Sequence, residues 1–338
     1  MNREHIPAAL IAMQSPTFAQ QFEEERFARL SALVDLLRPS PADLDDPALA
    51  VDVSRVEVLI TSWGAPRLTA ERLDRMPALR AVFHAAGSVR QITTDAFWER
   101  GITITSAAGA NAVPVAEFTF ASIVLAGKRA QFLAREPVSH RHDWASGLFT
   151  DGYSNYARTI GIVGFSRIGR LVTAFLQQLE RVEVLVADPY AGAEVVARSG
   201  ARLVQLDELL SSVDTLSLHA PELPETRGMI GAGELARLRV GATVINTARG
   251  SLIDTDALVA ECSTGRLDAV LDVTDPEPLP EDSPLYRLAN VSITPHIAGS
   301  LGTENRRLSD AALDELARWR AGRPLESEIT QDDVRVSA

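Results

Sequence analysis

Cysteine and lysine are nearly absent from this chain of 338 residues, with Cys262 and Lys128 the single examples of each. One thiol excludes an intrachain disulfide and a cysteine-rich metal cage, and it fits a reducing, cytoplasmic compartment. No pair of histidines has metal-ligand spacing, so no metal site is expected. Basic charge is also short: 33 basic residues against 45 acidic ones leave a net charge of −12. Such a surface repels phosphate backbones and anionic lipid, which argues against nucleic acid and membrane as partners. A small anionic ligand is still allowed, because a few aimed Arg side chains and helix N-termini prevail at short range. Long apolar runs are missing too. The longest, Val113 to Gly127, carries Glu117, falls short of the ~20 residues a bilayer span needs, and reads as a buried helix. Arg3, Glu4 and His5 precede an apolar stretch without the length or cleavage pattern of a signal peptide, which reads as a first strand. There is no internal repeat and no low-complexity tract.

What remains is an ordinary globular balance, 46% hydrophobic and 23% charged, with length for two domains. From residue 151 onward, short β-branched runs alternate with helical segments, as in parallel βαβ units. The expected strands are Thr159 to Val163, Val182 to Ala187, Thr215 to Leu218, Thr243 to Ile245, Ala269 to Leu271 and Val291 to Ile293. Arg167 to Glu180 and Asp254 to Cys262 suit crossover helices. Earlier in the chain a weaker alternation predicts strands at Ala8 to Met13, Val56 to Ile60, Leu79 to Phe83 and Ile102 to Ile104. Helices are expected near Phe18 to Leu30, Ala70 to Met76 and Thr94 to Arg100, with a loop around Pro39, Pro41 and Pro47. Asn111 followed by Pro114 predicts a helix start, running to about Ala134. The Asp310 to Arg320 helix must pack on one of the two lobes. The fold class is therefore α/β with covered sheets.

The strand at Thr159 runs into Gly164-Phe165-Ser166-Arg167-Ile168-Gly169 and then a helix. This is the placement of a dinucleotide fingerprint. Gly164 permits a tight turn, Gly169 lets helix and strand approach, and the helix N-terminus offers free N–H groups to a pyrophosphate. Ser166 stands where the middle glycine is usual. Asp188, 24 residues after Gly164, is placed to accept the ribose hydroxyls of adenosine. Its charge repels a 2′-phosphate and so favours NAD over NADP. Arg249, Asp272 with Glu277, and His296 follow three later strands, whose carboxyl ends converge on the ligand crevice in a doubly wound sheet. Alone, an Arg is usually a surface charge and a His usually structural. Together they suit hydride chemistry on a 2-oxo acid: guanidinium grips the carboxylate and imidazolium gives a proton to the carbonyl oxygen. A neighbouring carboxylate orients the imidazole and favours its charged form.

These segments resemble the D-isomer-specific 2-hydroxyacid dehydrogenases. The matching text is TIGIVGFSRIGR from Thr159, LSLHAPELPETRGMI from Leu216, INTARGSLIDTDAL from Ile245, LDVTDPEPLP from Leu271 and ITPHIAG from Ile293. The resemblance implies a Rossmann-type NAD domain over residues 111–299 and a smaller flavodoxin-like substrate domain from 1–110 plus 300–338. It implies Arg249 on the substrate carboxylate, Glu277 beside the histidine, and His296 as acid/base in interconverting a 2-oxo acid and a D-2-hydroxy acid. Ala86, Gly87 and Ser88 match the loop whose amides also hold the carboxylate. The cofactor contacts it implies are Gly164, Ser166, Arg167, Ile168, Gly169, Asp188, His219, Ala220, Pro221, Thr226, Thr247, Ala248, Arg249, Asp272, His296 and Gly299. A homodimer is implied as well. Val89-Arg90-Gln91 departs from the family's usual acidic turn, and Arg90 either extends the anionic site or faces solvent. His219 reads as lining or packing. His140 and His142 with Trp144 read as a polar, aromatic insertion, and Trp144, Phe149 and Tyr153 as lining either the substrate mouth or, preferably, a dimer arm. The alternative on the same residues is an NAD(H)-sensing binding protein with little turnover. A formate dehydrogenase-like enzyme is disfavoured, because Glu277 stands where a neutral amide is expected.

Overall fold

The structure, a computed structural model, describes residues 5–134 and 153–336. The chain divides into two compact units, Met1–Asn111 with Ser300–Ala338, and Ala112–Gly299. His140, His142, Trp144 and Phe149 lie outside the described residues.

The first unit is built on five parallel strands: β1 (Ala8–Ala12), β2 (Asp35–Leu36), β3 (Val58–Thr61), β4 (Ala81–His84) and β5 (Thr103–Ser106), in the order β2-β1-β3-β4-β5. That is the flavodoxin-like order, with its switch point between β1 and β3. β1, β3, β4 and β5 are buried along nearly their whole length, because helices cover both faces, whereas the edge strand β2 is not. Leu10, Leu59, Val82 and Ile104 face one core, and Ile11, Ile60 and Phe83 face the other. The helix Asn305–Arg320 belongs to this unit, where Leu308, Leu313 and Leu316 are buried in the second core and Ser309 Oγ donates to the Gln21 carbonyl at 2.5 Å. Burying three leucine side chains contributes on the order of 5–8 kcal/mol before entropy.

The second unit carries seven parallel strands: β6 (Thr159–Val163), β7 (Glu183–Ala187), β8 (Arg202–Leu203), β9 (Thr215–Leu218), β10 (Thr243–Asn246), β11 (Asp268–Leu271) and β12 (Val291–Ile293). Their order is β12-β11-β10-β9-β6-β7-β8, a doubly wound sheet with its switch point between β6 and β9. Apolar clusters cover both faces.

Several expected elements differ. The single helix at Phe18 to Leu30 is two, Ser15–Gln21 and Glu24–Leu33, broken where Phe22 leaves helical geometry at φ −122° and ψ 59°. The loop expected around Pro39, Pro41 and Pro47 is present, and it is followed by the short helix Ala50–Arg55, which was not expected. The helix expected at Asn111 starts earlier and spans Ala108–Gly127, with Ser106 Oγ accepting from Ala108 N at 3.0 Å, and Pro114 is tolerated inside it. It stops short of Ala134 because Arg129 takes φ 51°, after which Ala130–Leu133 forms a separate turn. At 20 residues this helix is long and apolar enough to cross a membrane by length and composition, so its length does not exclude a span as the shorter reading did. Ala116, Ile123 and Ala126 nevertheless pack into the core of the second unit. The Tyr153 ring lies 6.0 Å from the Arg129 guanidinium.

Candidate active site

At the end of β6 the chain turns at Gly164, whose φ of +92° suits glycine. A Cβ there would lie 2.6 Å from Ala220 N and 2.7 Å from the His219 carbonyl carbon, so β6 and β9 meet with no room for a side chain. Gly169 is equally constrained, since its Cβ would sit 2.1 Å from the Gly164 oxygen. Ser166 takes φ −83°, a value open to any residue, which explains why a serine is accepted there. It is exposed, and its side chain makes no capping bond to the helix Arg167–Leu176 that begins with Arg167 and Ile168. That helix N-terminus therefore presents backbone N–H groups beside a close-packed turn, a geometry that fits the pyrophosphate of a dinucleotide. Asp188, just past β7, accepts from Phe165 N at 2.6 Å and Tyr190 N at 2.8 Å, which pins the carboxylate to the glycine turn.

Past β9, His219 is buried, its Nε2 shares a 2.9 Å hydrogen bond with Ser217 Oγ, and burial pushes its pKa down to about 3. It is a neutral packing group, as expected. Ala220 is buried beside it, and Thr226 closes the following loop, its hydroxyl donating to the Pro221 carbonyl at 2.6 Å.

Arg249 and His296 each lie three residues beyond register-matched positions, Asn246 on β10 and Ile293 on β12, which both pair with Leu271 on β11. Two strand spacings separate Asn246 and Ile293 by about 10 Å at the carboxyl ends of the sheet, and the Arg249 guanidinium donates to the Ala248 carbonyl at 2.6 Å. Asn246 braces the first of these loops: its Nδ2 donates to the Arg249 carbonyl at 2.8 Å and its Oδ1 accepts from Ala248 N at 3.0 Å. Thr247 shares a buried 2.7 Å hydrogen bond with Thr119 of the long helix. Gly250 fits under the next loop because a Cβ would strike the Thr274 carbonyl carbon at 2.0 Å.

Asp272 organises the His296 segment. Its Oδ1 accepts from Thr294 Oγ1 at 2.6 Å and Ile297 N at 2.8 Å, and its Oδ2 from Ala298 N at 2.9 Å. Its backbone oxygen takes the His296 N–H at 2.9 Å. These four bonds hold His296 at φ +54°, a left-handed conformation uncommon for a residue other than glycine. The imidazole Nδ1 lies 2.7 Å from Glu277 Oε1. Both side chains are about half exposed, and they line a concavity of about 700 Å³ with Asp272, Thr294 and Tyr286. Gly299 is half-buried just beyond.

In the first unit, the turn after β4 has its carbonyls tied inward. Ala85 O accepts from Gln21 Nε2 at 2.9 Å and Ser62 Oγ at 2.8 Å, Ala86 O from Ala107 N at 2.9 Å, and Gly87 O from Ser106 Oγ. His84 hydrogen-bonds Thr61 Oγ1 at 2.9 Å and the Ser88 backbone, and burial lowers its pKa to about 4. Among the described residues, the N–H groups of Ala86, Gly87 and Ser88 meet no acceptor, which leaves three donors for an anion. Arg90 is exposed, and its Nη2 donates to the Val334 carbonyl at 2.5 Å.

The residue types at strand ends were readable in advance. The bracing by Asn246, Thr119 and Gln21 was not, since each acts through a hydrogen bond to a distant segment. The one available signal was a buried-pattern polar residue, such as Thr119 within an apolar helix.

Comparison with known proteins agrees with this geometry. Residues 121–298 match the model of the D-isomer specific 2-hydroxyacid dehydrogenase NAD binding domain. A D-3-phosphoglycerate dehydrogenase of Mycobacterium tuberculosis is 33% identical over 293 residues, covering 86% of this chain and 53% of that protein. The chain thus spans about half the length of that relative. A glyoxylate reductase of Korarchaeum cryptofilum is 31% identical over 297 residues, covering 86% of this chain and 88% of its own. The apo D-mandelate dehydrogenase of Rhodotorula graminis shares the fold, with TM-score 0.82 at 21% identity over 97% of this chain and 98% of that one. With its glycine turn, Asp272 clasp and Glu277–His296 pair, this chain belongs to the D-isomer-specific 2-hydroxyacid dehydrogenase family.

Proposed function

We propose that this protein is an NAD-dependent oxidoreductase that interconverts a 2-oxo acid and a D-2-hydroxy acid, with His296 as acid/base. The 2.7 Å pair of Glu277 and His296, held beyond β12 by Asp272, is the observation that carries the reading. With Nδ1 turned to Glu277, Nε2 is the nitrogen free to give a proton to a carbonyl oxygen or take one from a hydroxyl. Arg249, with its planar fork, is the residue proposed to grip the substrate carboxylate, and in the first unit the amides of Ala86, Gly87 and Ser88 are donors suited to an anion. The glycine turn, helix N-terminus and Asp188 fit a dinucleotide. When bound, NADH supplies the hydride.

The test is steady-state turnover in both directions. Reduction requires protonated His296 and falls as pH rises, whereas oxidation requires the neutral form and rises. The same sign in both directions contradicts the assignment. Arg249→Lys keeps the charge but loses the fork, and kcat/KM is expected to fall about 10- to 100-fold. An unchanged value removes Arg249 from this role. Tight NADH binding without turnover on a broad panel of 2-oxo acids favours the sensor.

A further inference from the structure

The switch point of the first unit's sheet lies between β1 and β3, and ligands of open α/β sheets bind beyond the carboxyl ends of strands at such a point. Two residues past Thr61, the end of β3, stands Trp63, a large aromatic left 39% exposed. Its backbone is fixed: the Trp63 carbonyl accepts from Gln14 N, beyond β1, at 3.1 Å. The next residue, Gly64, takes φ +78° with the Gln14 side chain packed where a Cβ would be. On its other side, Ser62 Oγ donates to the Ala85 carbonyl, so the segment bearing Trp63 is tied to the turn in which the amides of Ala86, Gly87 and Ser88 meet no acceptor among the described residues. Thr61 and His84 are register partners at the ends of adjacent strands, and Trp63 and Ala86 each follow two residues later.

Charge narrows the ligand further. The first four residues past β1, β3, β4 and β5 are Met13-Gln14-Ser15-Pro16, Ser62-Trp63-Gly64-Ala65, Ala85-Ala86-Gly87-Ser88 and Ala107-Ala108-Gly109-Ala110, with no charged side chain among them. A second anionic group, such as a phosphate, would find no Arg or Lys there to pair with. The nearest cations along these segments are Arg67 and Arg90, and Arg90 is directed to the Val334 carbonyl.

We infer that Trp63 is a specificity-determining residue, forming the wall against which the substrate's side chain packs, and that this side chain is apolar and aromatic rather than phosphorylated. The inference rests on the reading that the amides of Ala86 to Ser88 hold the substrate carboxylate. The test compares kcat/KM for phenylpyruvate, pyruvate, glyoxylate and 3-phosphohydroxypyruvate, with NADH, for the native enzyme, Trp63→Ala and Trp63→Phe. NADH affinity and thermal melting are measured alongside. The native enzyme should prefer phenylpyruvate over the phosphorylated acid by about tenfold or more. Trp63→Ala should lower kcat/KM for phenylpyruvate about 10- to 100-fold while leaving glyoxylate within about threefold, and Trp63→Phe should restore most of the loss. Preference for the phosphorylated acid, or an equal effect of Trp63→Ala on every substrate, overturns the inference and leaves the dehydrogenase reading standing. A native enzyme that binds NADH yet turns over none of the four removes the dehydrogenase reading itself.

Discussion

Replacing Gly164 with alanine separates two costs that the turn after β6 combines. The first is conformational: an L-residue at φ +92° costs about 1–3 kcal/mol. The second is steric. The new Cβ would lie 2.6 Å from Ala220 N and 2.8 Å from the His219 oxygen, where ordinary contact begins at 3.4 Å, so β6 and β9 must part by roughly 0.8 Å. Both neighbours are backbone and cannot rotate away, which places the strain in the range of core overpacking, about 1–3 kcal/mol. Together the substitution should cost about 2–6 kcal/mol. Gly241 supplies the control, for it has φ +82° and no atom within 4 Å of its Cβ position, so Gly241→Ala carries the conformational cost alone. Urea unfolding followed by circular dichroism measures both variants, and NADH titration reads the site. Gly164→Ala should be more destabilised than Gly241→Ala and bind NADH at least about tenfold more weakly, while Gly241→Ala binds it normally. Equal destabilisation together with unchanged NADH affinity would refute the close-packed turn as part of the cofactor site.

Asp272→Asn should lower kcat well beyond its effect on NADH affinity. It sets an amide N–H₂ against donors of the 294–298 segment, with about 1–3 kcal/mol lost for each unsatisfied group, and unchanged kcat excludes the clasp from catalysis. Acid should destabilise the fold between pH 6.5 and about 4. Buried His84 and His219 stay neutral down to about 4 and about 3, while the unfolded chain takes up protons from 6.5, a loss of about 1.4 kcal/mol per pH unit for each. Asp268, raised to about 6 by burial against the opposing pull of Arg129, works the other way: it binds its proton in the folded chain first and cancels one histidine between about pH 6 and 4. Urea midpoints that stay flat or rise through this range contradict the sum, and Asp268→Asn should steepen the decline.

Strands were readable where the chain needs continuous burial. Ile160 to Val163, Val184 to Ala187 and Leu216 to Leu218 are apolar runs because helices cover both faces of a parallel sheet. The two-residue edge strands Asp35–Leu36 and Arg202–Leu203 have no such run. The short helices Ala193–Arg198, Leu206–Ser212 and Ala232–Arg237 are too brief to show a period. Helix ends failed where a side chain outside the helix decides them, as with Ser106 capping Ala108 and the left-handed Arg129. In the site, residue identity followed from strand ends. Orientation did not: the carbonyls of Ala85 and Gly87 are held by Gln21, Ser62 and Ser106, all distant along the chain, which a strand-end reading does not show.

The return of Asn305–Arg320 to the first unit has a consequence for biosynthesis. A ribosome delivers residues 5–111 long before Leu308, Leu313 and Leu316, which complete their second core. The uninterrupted unit, Ala112–Gly299, can thus finish folding while the first unit still exposes the apolar face that Leu308, Leu313 and Leu316 later cover.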